Sequence, residues 1–213
     1  LGLDHSSYRV RDTAQATLQL QNSGDFTLAP TVTLTMPDIG FSQSQQVALA
    51  PGQATTLTYA LNLPANLPVG AHNVIATQLL STTIAQTTTL LIPEAHIVAS
   101  QLTSNASPGQ PVQARLTNDG GVDATVAYSQ TLRDSTARIV AQQNNVTATI
   151  QAGALVTTGL TVPTGATTGD YYLDLMGLTL NPGQFFALSH QIAVSGVSAA
   201  LDAMTDRDVY LIT

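Results

Sequence analysis

The chain has 213 residues, 44% of them apolar and only 9% charged, with a formal net charge of −7. The apolar share excludes a disordered chain, and six Arg scattered from Arg9 to Arg207, with no Lys, leave no basic patch for nucleic acid or an anionic membrane surface. Cys is absent, which excludes disulfides, thiolate metal sites and Cys nucleophiles together.

In chain order, the first clear element alternates Ala14, Ala16, Leu18 and Leu20 with Gln15, Thr17, Gln19 and Gln21. A period of two predicts a strand with one face on a core and one in water. Asn22-Ser-Gly-Asp ends it. Val32, Leu34 and Met36 alternate with Thr and stop at Pro37-Asp-Ile-Gly. After Pro51-Gly, Leu57, Tyr59, Leu61 and Leu63 repeat the pattern up to Pro68-Val-Gly. Strand-like Leu90-Leu-Ile92 then gives way, across Pro93-Glu94-Ala95, to His96-Ile-Val98. The second half is punctuated by Ser107-Pro-Gly, Asn118-Asp-Gly-Gly, Ala152-Gly, Thr168-Gly-Asp and Asn181-Pro-Gly. Many short alternating strands between regular turn signals predict an all-β sandwich architecture, and no amphipathic helix stands out. No apolar run approaches the ~18 residues of a membrane helix.

The two halves repeat. Leu18-Gln-Leu-Gln-Asn22-Ser-Gly24 returns as Ala114-Arg-Leu-Thr-Asn118-Asp-Gly120, and Leu63-Pro64…Gly70-Ala-His72 as Val162-Pro163…Gly169-Asp-Tyr171. The tail from Leu201 to Ile212, with Tyr210, echoes Leu1 to Val10, with Tyr8. The expected organisation is one antiparallel sandwich over 1–94, a second over 95–197, and the first strand of a third, or a linker, over 198–213. The expected core is Leu18, Leu20, Val32, Leu34, Leu57, Tyr59, Leu61 and Val74 in the first unit. In the second it is Val112, Ala114, Leu116, Val126, Ile150, Leu160, Leu173 and Leu175.

The order Leu-x-Asn-x-Gly, then Pro-Gly before a long strand, then Leu-Pro…Gly before the next, resembles the CARDB-type and related immunoglobulin-like modules of bacterial and archaeal surface proteins. The second copy departs from it with Ala152-Gly in place of Pro-Gly. The resemblance implies tandem immunoglobulin-like sandwiches, an extracellular or cell-surface location, and a spacer or adhesion role. It implies no site residue.

Candidate chemistry is sparse. His5, His72, His96 and His190 share no metal-ligand spacing, and no Gly-x-Ser-x-Gly elbow is present. The chain therefore reads as no enzyme and needs no cofactor. Ca²⁺ is the metal candidate, because hard cations take clustered carboxylates. Asp202, Asp206 and Asp208 near the end are the first set, with Asp4, Asp12 and Asp25 near the start as a second. Asp119 and Asp123 flank a Gly-Gly turn. Tyr171-Tyr172 and Phe185-Phe186 should each place one ring in the core and one outside, the outer ones being candidates for a sugar. Asn105-Ala-Ser and Asn145-Val-Thr have the form of glycosylation sequons. With no Lys, Lys–Asn isopeptide crosslinks are impossible.

The function expected on this basis is a non-catalytic structural module of an extracellular surface protein. It would be a spacer, or a subunit of a filament, stalk or surface layer, whose partners are other copies of itself or neighbouring domains. The alternatives are an adhesion module for surface glycans or proteins, and an accessory region of an extracellular hydrolase. The opening Leu1 in place of Met fits a part of a longer protein.

Overall fold

The computed structural model of the chain describes residues 1–80, 82–181 and 183–196. The strand expected over 198–213, with Asp202, Asp206 and Asp208, lies outside the described residues. Within them the protein is all-β.

The first seven strands are β1 (Gly2–Leu3), β2 (Thr13–Gln21), β3 (Thr31–Met36), β4 (Phe41–Gln46), β5 (Ala54–Asn62), β6 (Gly70–Leu79) and β7 (Thr83–Ile92). They form two sheets, β1-β2-β5 and β4-β3-β6-β7, with every pairing antiparallel. The alternation works as expected. Ala14, Ala16, Leu18 and Leu20 of β2 point inward with Val32, Leu34 and Met36 of β3, and one buried cluster fills the space between the sheets. Leu57 is half-buried and packs on the margin of that cluster. Pro37-Asp38-Ile39 makes one 3-10 turn, closed by Gly40 at φ 65.

The next eight are β8 (Ile97–Gln101), β9 (Asn105–Ala106), β10 (Pro111–Asn118), β11 (Ala124–Asp134), β12 (Ile139–Ile150), β13 (Leu155–Thr161), β14 (Gly169–Thr179) and β15 (Phe185–Val194). Here β13-β10-β8 faces β12-β11-β14-β15-β9 across a second cluster, which contains every core residue expected for this half. One pairing departs from the antiparallel expectation: β9 runs parallel to β15. The chain enters along β10, with Leu102 N–H donating to the Gln113 carbonyl. It then crosses to the other sheet, where the Ser104 and Ala106 carbonyls accept from Ala193 and Ser195. A strand that changes sheets between two facing layers meets its new neighbour in the opposite sense.

Two buried asparagines fix the corners. The Asn22 side chain donates to the carbonyls of Phe26 and Leu49 and accepts from Gly24 N–H. Asn118 does the same with Val122, Ile150 and Gly120. Buried backbone groups need such partners where a strand ends. Among the described residues no helix is long and apolar enough to cross a membrane.

Candidate functional site at the joint between the sandwiches

The segment between β1 and β2 is held by backbone bonds from both sandwiches. Tyr8 N–H donates to the Leu91 carbonyl and Arg11 N–H to that of Leu63, both in the first sandwich, while Val10 N–H donates to Gly121 of the second. The turn is tight. Asp12 N–H returns to the Arg9 carbonyl, and the Asp12 carboxylate accepts from Arg9 N–H at 2.8 Å. Arg11 consequently sits at φ 73, a left-handed conformation that costs a residue with a Cβ about 1–2 kcal/mol.

That conformation aims the Arg11 guanidinium at the second sandwich. Nη1 and Nη2 donate to the two oxygens of Asp123 at 2.8 and 2.7 Å, a planar fork matched to a carboxylate. The Asp123 carboxyl is held below the ordinary carboxylate range, first by this contact and then by Ala152 N–H. The guanidinium is pushed up in return.

Glycines let the surfaces meet. A Cβ at Gly120 would collide with the Glu94 carbonyl oxygen and stand 2.5 Å from His96 N; one at Gly121 would stand 2.6 Å from Pro93 Cδ. The connecting segment thus lies flat on the Gly-Gly loop. Val122 and Ala152 of the second sandwich pack against the core cluster of the first, and the Arg9 guanidinium lies over Gly153.

Beside the joint opens a cleft of about 410 Å³, lined by His5, Ser7, Arg9, Asp12, Thr13 and Asp119 among others. Tyr8 also lines it. The Tyr8 hydroxyl donates to Asp4 at 2.6 Å, Gln15 N–H donates to the same carboxylate oxygen at 2.8 Å, and these, Tyr8 first, pull the Asp4 carboxyl down to about 2. Burial, then Asp4, pushes the Tyr8 phenol up to about 12. His5 stands edge-on to the Tyr8 ring, and His96 pairs with Asp119 at 2.6 Å.

The remaining candidates disperse. Among the described residues no three His, Asp or Glu are placed to hold a metal ion. Asp4 and Asp12 lie before β2 and the exposed Asp25 after it. A strand of that length separates its ends by about 30 Å. His72 is buried between Asp38 and the Pro68 carbonyl, at 2.6 and 2.8 Å, and His190 lies on β15. Tyr171 and Phe186 are buried while Tyr172 and Phe185 are exposed. Phe185 pairs with Leu178, so the two outer rings are about 20 Å apart along β14 and form no platform. Asn105 and Asn145 are both exposed, the latter at φ 55 where the β11–β12 register slips.

Sequence reasoning missed the joint. Arg11 and Asp123 are 112 positions apart, and neither lies in a motif. The readable signal is the Gly-Gly pair, which reads as a turn and serves as a landing surface.

No family model matches the chain, and neither does any curated protein. Among solved structures it is similar to a red sea bream transglutaminase, with 12% identity and a TM-score of 0.44, over 91% of this chain and 31% of that one. The expectation that the chain is no enzyme does not stand. A likeness of this degree carries no activity or site residue across. The physical reason for dropping the expectation is that catalytic groups need not be close in sequence, so a missing motif excludes little.

Proposed function

We propose that the chain is a structural segment of an extracellular cell-surface protein, of the CARDB-like immunoglobulin kind, that holds its two sandwiches at one set angle as a spacer or assembly module. The observation that carries this reading is the joint. A bidentate ion pair, a backbone bond from Val10 to Gly121, and a connecting segment laid on Gly120-Gly121 act together. A linker this short and this closely packed transmits orientation instead of decoupling it. The weakly charged Thr- and Gln-rich surface supports an extracellular setting.

Small-angle scattering of the monomeric chain is the test. One set angle predicts a profile fitted by a single conformation and unchanged between low and moderate salt. A profile that requires a broad spread of inter-sandwich angles would overturn it.

A second reading, a binding module for surface glycans or proteins, rests on one patch. Met176, Leu178 and Phe185 are exposed on the outer face of the five-stranded sheet. A glycan array on which Phe185→Ser abolishes a hit would favour it over the spacer.

A further inference from the structure

The end of the first sandwich repeats the end by which the second is docked. Gly52 N–H donates to the Asn22 carbonyl and Gln53 to Ala50, just as Gly153 donates to Asn118 and Ala154 to Gln151. Asn22 clamps the Phe26 carbonyl where Asn118 clamps that of Val122. These bonds put Phe26 in the place of Val122 and Pro51 in the place of Ala152. Val122 and Ala152 are the apolar side chains that press on the neighbouring sandwich. Among the described residues Phe26 and Pro51 are exposed, Phe26 at 81%.

The opposite end of the second sandwich can be matched in the same way. Gly109 N–H donates to the Val162 carbonyl, and Val162 N–H to Gln110, as Arg11 donates to Leu63 and Leu63 to Asp12. Gly109, at φ 83, therefore stands where Arg11 stands at φ 73, and Pro108 stands where Val10 is covered. The ion pair has vanished from both ends at once: Gly109 replaces Arg11, and Thr27, next to Phe26, replaces Asp123. Asp25 keeps a charge beside Phe26, and Pro108 has no N–H to repeat the bond from Val10 to Gly121, so the contact rests on the apolar side chains.

We propose that the Phe26–Pro51 end docks onto the Pro108–Gly109 end of a second copy of this chain, giving a head-to-tail apolar contact. A second copy fits better than a sandwich tethered as these two are. Asp25 stands in the place of Gly121, and its Cβ closes the space in which Pro93 lies in the joint. The two surfaces differ, so the contact is heterologous and propagates into open chains.

This inference deepens the assembly reading of the proposed function and rests on the joint as its template. Sedimentation velocity on the full chain, over a wide concentration range, tests it. Reversible association that grows with concentration and is little affected by salt is expected. Phe26→Asp and Pro108→Glu should each weaken it by about tenfold or more, as removal of a central apolar anchor does, with unchanged circular dichroism. A chain that stays monomeric, or association that survives both variants, would overturn the docking. Scattering on monomeric Phe26→Asp separates the two ideas. A set angle in that variant, with a wild-type chain that never associates, removes the docking alone; a loose joint, with wild-type association intact, removes the template alone.

Discussion

Arg11 closes on Asp123 with both guanidinium nitrogens, at 2.8 and 2.7 Å, from a turn in which its own backbone is left-handed at φ 73. The second sandwich solves the same turn with Gly109 at φ 83, without strain and without an ion pair. A residue that is conformationally costly where it stands, and whose side chain spans two sandwiches, is explained by the contact it makes.

Two substitutions separate the cost from the contact. Arg11→Ala loses the ion pair and keeps the strained backbone, whereas Arg11→Gly loses the ion pair and relieves the strain. Arg11→Gly is expected to be the more stable of the two by about 1 kcal/mol, while both loosen the joint equally. Urea denaturation compares the stabilities and scattering the joints. Equal stability of the two variants would count against strain at Arg11.

The equivalent glycines of the two corners should respond differently. At Gly120 a Cβ collides with the Glu94 carbonyl, whereas at Gly24 the nearest atom is Asn22 Oδ1 at 3.4 Å. Gly120→Ala is expected to cost about 1–3 kcal/mol, or to displace the connecting segment, and Gly24→Ala less than about 0.5 kcal/mol. Thermal melts of the pair decide this, and comparable losses would mean that the close approach at Gly120 is not real.

The corner asparagines are 1% and 0% exposed. Asn118→Ala leaves the Val122 and Ile150 carbonyls and the Gly120 amide short of a partner, for an expected loss of about 2–4 kcal/mol. Asn118→Asp, isosteric, is expected to be no better, because it sets a carboxylate oxygen against two carbonyl oxygens. Recovery of wild-type stability by Asp would show that shape alone matters there.

Acid should act on the clamp between β1 and β2. Asp4 is held at about 2 in the folded chain, below its ordinary value of 3.8, by the Tyr8 hydroxyl and Gln15 N–H. The folded state therefore binds this proton less readily than the unfolded one. The stability it contributes is present above pH 4 and drains away as pH falls towards 2. Asp123 and Asp134, also lowered, act in the same sense. Tyr8→Phe removes the hydroxyl and should flatten the dependence in this window. Denaturation midpoints at successive pH values measure it, and an unchanged slope in Tyr8→Phe would assign the acid sensitivity elsewhere.

Much of the fold was legible because it rests on local, repeated physics. Ala14 to Leu20 and Val32 to Met36 alternate so regularly that a strand slipped by one position would turn its whole apolar face to water. Tyr171-Tyr172 and Phe185-Phe186 divided into inner and outer rings for the same reason. Asn22 and Asn118 were read as turn residues, which they are. That each also bridges to a carbonyl far along the chain, at Leu49 and Ile150, has no signature in the sequence. The parallel β9 escaped notice because two residues carry no period.

By itself the sequence determined the class of architecture, the strands and turns, and most of the core, since periodicity and turn chemistry act within a few neighbouring residues. The joint was decided only in three dimensions. Arg11 and Asp123 meet across 112 positions, the Gly-Gly loop receives a segment from outside itself, and Val122 is covered while Phe26 in the equivalent place is bare. Such contacts depend on where two completed sandwiches come to rest against each other, and a linear pattern holds no information on that distance.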